Sequence, residues 1–190
     1  MKMQFATVAI SLAALTLGGC GKKVDTTSNN AAAAPLNSVN AIEPAPVAES
    51  AGQMFANAAA ASDTFEIESS RLAQANSQSA SAKKFAESMI KAHTDSTAKL
   101  GQAASAASPA IVPKPLLSSA QQQSLDALKG KKGADFDAAY IEAQTRGHQE
   151  TLDTLKAYSG NGDVPSLKEF ATKLVPIVTA HLNMAKGLKS

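Results

Sequence analysis

The sequence predicts an all-α domain, a four-helix bundle with a long crossover between its second and third helices. From about residue 50 onward, apolar residues recur at spacings of three and four, the period of an amphipathic helix. No segment shows the strict alternation that is typical of a strand. A short, a long and another short connection separate the periodic segments, which indicates two antiparallel hairpins joined by a crossover.

The N-terminal residues have the pattern of an export signal. Lys2 is followed by a short apolar run, and "LGG" precedes Cys20, the only cysteine. The segment "LGGC" resembles the lipobox of bacterial lipoproteins, in which the cysteine carries the lipid. We therefore predict a signal peptide over residues 1–19 and lipidation at Cys20. The alternative is an ordinary signal peptide followed by a chance cysteine.

Residues 20–49 are predicted to be a flexible tether between the lipid and a folded domain at 50–190. They are rich in Ala, Asn, Ser, Thr and Pro and show no sustained period. Gly21 is not the aspartate associated with inner-membrane retention. We therefore expect a cell-envelope protein, lipid-anchored in the outer membrane and facing the periplasm.

Composition excludes several classes of function. Lys and Arg number 18 against 16 Asp and Glu, and the chain has no Trp and two Tyr, so a nucleic-acid surface is not expected. A single cysteine excludes a disulfide framework and a cysteine metal cluster. Neither a serine nucleophile elbow nor a phosphate loop is present, which favours a non-enzymatic protein.

Helix 1 is predicted over about 50–78, and two neighbouring stripes compete for its buried face. One stripe consists of Met54, Ala58, Ala61, Phe65, Glu68 and Leu72. The other consists of Ala59, Ser62, Glu66, Ser69 and Ala73. The choice decides whether Glu66 or Glu68 faces the core, and the small residues around Glu66 favour Glu66.

Helix 2 is predicted over about 81–106, with Phe85, Met89, His93 and Leu100 on its buried stripe. Prolines 109, 113 and 115 then prevent a helix, and the short amphipathic segment "SSAQQQSLDAL" follows. This connection of roughly 27 residues is long enough to run the length of a bundle, which is the topology of ferritin-like proteins.

Helices 3 and 4 are predicted over about 134–159 and 166–188. The stripe of helix 3 consists of Ile141, Gln144, His148, Leu152 and Leu155. The stripe of helix 4 consists of Leu167, Phe170, Leu174, Val178, His181, Leu182, Ala185 and Leu188. Ser166 and Glu169 are a candidate capping box, and Pro176 predicts a kink before His181.

All three histidines of the chain lie on buried stripes. Counting from the turns at about 1.5 Å per residue places Glu66, His93 and His148 at one height and His181 about 6 Å away. A buried imidazole needs a hydrogen-bond partner or a metal. Glu66, His93, His148 and His181 are therefore predicted to bind one Zn, Fe, Mn or Cu ion.

A metal-free network is the alternative for this polar layer. In it, Glu66, Gln144 and Tyr140 would satisfy the histidine nitrogens. The ferritin-like di-iron motif, a Glu-x-x-His pair on each of two helices, is missing, because Glu87 and Glu142 each precede a histidine by six residues. Methionines near the layer, Met89 and Met184, would suit copper but are more often core residues.

Four blocks carry a resemblance to a known family. They are "FEIESSRLA" (65–73), "KKFAESMIKAHTDSTAKL" (83–100), "FDAAYIEAQTRGHQETL" (136–152) and "LKEFATKLVPIVTAHLNMAKGL" (167–188). In order and spacing they resemble domain of unknown function 4142, a family of exported bacterial proteins. One departure is Ala92, where the family commonly has Asp before the histidine.

The resemblance implies a ferritin-like bundle and an export route but no established activity. Two classes of function follow from the residues. The first is a protein that binds a transition metal or small ligand in its core. The second is a structural or stress-related envelope protein whose histidines only pack. The weakly charged helical surface permits a homodimer, and no protein partner is indicated.

Overall fold

The computed structural model describes residues 48–189, and α-helix is the regular secondary structure of this part of the chain, as predicted. Its helices are α1 (Ala51–Asn76), α2 (Ala80–Ser105), α3 (Ser119–Lys129), α4 (Gly133–Asn161) and α5 (Pro165–Gly187). The four long helices match the predicted ones, and α3 is the short amphipathic segment. None of these helices is long and apolar enough to cross a bilayer. The predicted signal peptide, Cys20 and nearly all of the tether lie outside the described residues.

Local sequence explains where the helices begin. Ser50, Ser79 and Ser118 are N-caps whose hydroxyl oxygens accept from the backbone N–H three residues later. At α3 the side chain of Gln121 accepts from the N-cap N–H and completes a capping box. Gly133 opens α4 with φ 58°, a left-handed conformation that favours glycine.

The capping box predicted from Ser166 and Glu169 is wrong. Val164 is the N-cap of α5 and Pro165 lies in its first turn. A backbone N–H at this position has no partner within the helix, so proline removes no hydrogen bond here. The Ser166 hydroxyl instead donates to the carbonyl of Ala103, at 2.7 Å, which ties α5 to the end of α2. Glu169 pairs with Lys173 one turn later.

Buried apolar side chains form two clusters at opposite ends of the helices. The first contains Phe55, Leu100, Leu155 and Leu167, from the start of α1, the ends of α2 and α4, and the start of α5. The second contains Ala73, Phe85, Phe136 and Ala185, from the opposite ends. The long helices that contact each other are therefore antiparallel, and the connection between α2 and α4 runs from one end of the helical bundle to the other.

The buried face of α1 follows the stripe that contains Glu66. Glu66 is 1 % exposed, whereas Glu68 and Ala58 are exposed and Met54 is 55 % exposed. The first of the two candidate stripes is thus wrong at these positions. In an alanine-rich helix both stripes have similar hydropathy, so contacts with α2 and α4 decide which face is buried.

Candidate metal centre

Three histidines lie together between the two apolar clusters. His93 comes from α2, His148 from α4 and His181 from α5, and each is at most 8 % exposed. Their ring centroids are 5.6, 5.6 and 5.7 Å apart. His181 joins the other two histidines in spite of the offset of about 6 Å that counting residues predicts. One nitrogen from each ring lies within 4.8 Å of the other two.

Hydrogen bonds fix the orientation of two of the rings. Nδ1 of His148 is 2.8 Å from the carbonyl oxygen of Gln144, which only accepts, so Nδ1 carries the proton and donates. Nδ1 of His93 is 2.8 Å from Oδ1 of Asp63 and donates to that carboxylate. In both rings Nε2 is therefore the nitrogen that can bind a metal.

In each of the three rings, one nitrogen is buried and lacks a hydrogen-bond partner among the described residues. These atoms are Nε2 of His93, Nε2 of His148 and Nδ1 of His181. A point equidistant from three nitrogens 4.8 Å apart is about 2.8 Å from each, and metal–imidazole bonds are about 2.0–2.1 Å. Shifts of about 0.7 Å or less per ring would close the shell. The donor set therefore fits a metal ion.

Asp63 belongs to this site and was missed from the sequence. It is 5 % exposed, its Oδ1 accepts from His93, and its Oδ2 accepts from the hydroxyl of Thr97 at 3.2 Å. A carboxylate behind a histidine fixes the tautomer and the ring orientation of a metal ligand. The sequence did contain a sign of this pairing. Asp63 and His93 are equally far along the chain from Gln78, which lies in the turn between α1 and α2.

Glu66 lies beside the three histidines rather than among their free nitrogens. Its Oε1 is 3.6 Å from Nδ1 of His148, the nitrogen that donates to Gln144. Both carboxylate oxygens are buried without a hydrogen-bond partner in the described chain. The same Oε1 is 3.0 Å from where a Cβ on Gly147 would lie, so glycine gives the carboxylate room.

Burial changes the proton affinities of the layer. It raises the pKa of Glu66 to about 7, against the opposing charge of His93. Burial, together with the charge of His93, lowers the pKa of His148 to about 3 and that of His181 to about 4. For His93, burial acts to lower the pKa, but the hydrogen bond to Asp63 and the charge of Glu66 outweigh it and raise the pKa. Two of the three imidazoles are thus neutral and able to bind a metal near pH 7.

The pairing expected for a metal-free network is not present among the described residues. The side-chain amide of Gln144 donates to Ser69 at 3.0 Å, and the Tyr140 hydroxyl is 2.8 Å from that of Ser70. Neither side chain hydrogen-bonds to a histidine nitrogen. Met89 is fully buried in the second apolar cluster, as expected for a core residue, and Met184 is 46 % exposed.

Comparisons with known proteins agree with the helical architecture. The chain is similar to a solved structure described as "CopM in the Cu(II)-bound form", with a TM-score of 0.60 and 16 % identity, over 72 % of this chain and 93 % of that chain. At this identity the likeness shows the fold. No curated protein matches the chain significantly. Residues 37–188 match the family described as Domain of unknown function (DUF4142), and the chain belongs to that family.

Proposed function

We propose that this protein binds one transition-metal ion through Nε2 of His93, Nε2 of His148 and Nδ1 of His181. The observation that carries the proposal is that three buried histidines each offer a ring nitrogen within 4.8 Å of the other two, and that each ring has a buried nitrogen without a partner. A buried polar atom without a partner costs about 1–3 kcal/mol. One bound cation would satisfy all three nitrogens together.

Copper is the first ion to test. Imidazole nitrogens suit Cu, Zn, Fe and Ni, and a given site generally binds Cu(II) most tightly among the divalent ions of the first row. The similar fold of CopM was solved in a Cu(II)-bound form, which supports the same choice. Zn, Fe and Mn are the other candidates. Asp63 would orient His93 towards the ion, and Glu66 would lie against the outer edge of His148.

The wider function that we propose is metal binding by a lipid-anchored envelope protein. The four long helices would form a ferritin-like bundle with one crossover, since α1 and α2, and α4 and α5, are joined by short turns. The lipobox at Cys20 would place this domain in the periplasm, on the outer membrane. The protein would hold a metal rather than catalyse a reaction.

Metal content tests the proposal. Full-length protein purified from membranes without a histidine tag should take up one copper ion per chain, measured by elemental analysis after removal of loose metal. His148→Gln should lose this binding. Tyr140→Phe is the matched control, because Tyr140 is buried nearby but hydrogen-bonds to Ser70. A wild-type chain with no stoichiometric metal and no thermal shift with Cu, Zn, Fe or Mn would favour the structural alternative.

Export is tested separately. Cys20→Ala should remove the lipid mass and release the protein from the membrane fraction. Continued membrane fractionation with the lipid mass intact would contradict the lipoprotein assignment. This result is independent of metal binding, so the two parts of the proposal can fail separately.

A further inference from the structure

We infer that the three-histidine metal centre keeps one coordination position open towards a neighbouring cavity, where a small anion or oxygen-donor ligand binds the metal. The inference rests on the proposed metal binding and specifies what else that site would take. It is carried by the position of a cavity of about 210 Å³ next to the histidine layer.

All four long helices contribute to the wall of this cavity. His93 and His181 line it together with Ala59, Ser96, Thr151 and Val178. It lies on the side of the layer that faces the first apolar cluster, to which Leu155, Leu174 and Val178 belong. The cavity exists because the side chains that α1 and α2 place here are small. Larger side chains at these positions would fill the space.

The ligand count leaves a position for a further donor. Within the described chain, the group of His, Cys, Asp and Glu ligand atoms at the centre consists of the three histidines. Three protein ligands in a tetrahedral site leave the fourth position for water or substrate. On the other side of the layer, Phe85 packs against His148, with ring centroids 6.2 Å apart, and Met89 fills the second cluster. The fourth position therefore faces the cavity.

Size and charge define the class of ligand. A water molecule occupies about 30 Å³ of liquid, so the cavity holds a few non-hydrogen atoms, whereas drug-sized ligands need about 300–1,000 Å³. A divalent ion with three neutral imidazoles carries two positive charges, and Asp63 offsets one. Lys99 and Asp95, both exposed on α2, also line the cavity and offset each other in charge. The remaining positive charge of the metal centre favours a small anion such as hydroxide.

Azide is a suitable probe, because it is small, anionic and gives a charge-transfer absorption when it binds Cu(II). Full-length protein loaded with one equivalent of Cu(II), in chloride-free buffer, should show a saturable azide band and a changed electron paramagnetic resonance spectrum. Ser96→Leu would fill the cavity. It should keep one copper per chain and lose the azide response. Ser88→Leu, on an exposed position of the same helix, should keep both.

The outcomes separate this inference from the proposed function. Absence of copper binding by the wild-type chain would overturn both. Copper binding with no spectral response to azide would overturn the open position alone. An undiminished azide response in Ser96→Leu would show that the anion does not arrive through this cavity. If Ser96→Leu does not fold, Ala59→Leu fills the same space from the neighbouring helix α1.

Discussion

Replacing Asp63 tests how much the orientation of His93 matters for metal binding, because the proposed ligand His93 itself is kept. Asp63 accepts the Nδ1 proton of His93 at 2.8 Å, which leaves Nε2 directed at the site. Asp63→Ala removes this acceptor inside the bundle, so the His93 ring loses both its fixed tautomer and its fixed orientation. Loss of such a partner typically weakens metal affinity by about 10–100-fold, or about 1.4–2.8 kcal/mol.

Asp63→Asn and Asp63→Ala should differ in how much they weaken metal affinity. Asp63→Asn keeps the shape and an oxygen that accepts from His93, so its loss of affinity should lie near the lower bound of about tenfold. Asp63→Ala should lie near the upper bound of about 100-fold. Asp153→Asn is the matched control, since Asp153 is exposed on α4 and accepts from Gln149. It should bind copper as the wild type does.

The pH dependence gives a second readout that a loss of packing would not produce. The hydrogen bond to Asp63 helps to raise the pKa of His93, so in the wild type a proton competes with the metal for His93 as pH falls. Without Asp63 the pKa of His93 falls, and that competition begins at lower pH. The affinity deficit of Asp63→Ala should therefore be larger at pH 8 than at pH 6.

These affinities are measured by competition with a chromophoric chelator at pH 6, 7 and 8. This is roughly the range over which imidazole titrates. Asp63→Ala with wild-type affinity would refute the role of Asp63 in orienting His93. A deficit of the same size at every pH would refute the argument from the His93 proton and leave only a structural effect. Circular dichroism of each variant checks that the helical content is unchanged.

Three further predictions concern the metal-free protein. Between pH 7 and pH 5 the stability that His148 contributes should fall by about 2 kcal/mol, because burial lowers its pKa from the usual 6.5 to about 3 in the folded protein. The raised pKa of Glu66, about 7, acts in the opposite direction, so the readout is the difference in urea unfolding between wild type and His148→Gln, which should shrink as pH falls. Gly101→Ala, in open space, should stabilise α2 by about 0.5–1 kcal/mol, whereas Gly147→Ala, whose methyl would meet Glu66, should gain less or destabilise the fold. Tyr140→Phe should cost about 1 kcal/mol on thermal or urea unfolding and leave copper affinity unchanged.

Helix positions were readable from the sequence because periodicity and breakers agree along most of the domain. Prolines 109, 113 and 115 end the helical pattern after α2, and the next helix starts at Ser119, as the amphipathic segment indicates. The start of α5 was misread because Ser166 and Glu169 fit a capping box in isolation. Pro165 already fixes the first turn, and the Ser166 hydroxyl is used by a tertiary contact with α2.

Site residues were readable only in part, for a geometric reason. A histidine on an apolar stripe stands out against its neighbours, so His93, His148 and His181 could be selected. Asp63 does not lie on either stripe considered for α1, and its role depends on which edge of the His93 ring faces α1. Ring direction depends on side-chain rotation, which residue counting does not give. The same limit applies to Glu66, whose Oε1 lies 3.6 Å from Nδ1 of His148, the nitrogen that donates to Gln144.

Charge balance explains why two acids accompany three histidines. Without a metal, the raised pKa values of Glu66 and His93 shift Glu66 towards its neutral form and His93 towards the cationic form that faces the Asp63 carboxylate, and both shifts reduce the net charge of the buried layer. In the proposed bound state, a divalent ion displaces the Nε2 proton of His93, the Asp63 carboxylate offsets one of its two charges, and the bound anion, or Glu66 once it loses its proton, offsets the other. Both states avoid the large penalty of an uncompensated charge in the core. On this argument Glu66 contributes charge rather than a metal–oxygen bond, which agrees with its contact to Nδ1 of His148 instead of Nε2.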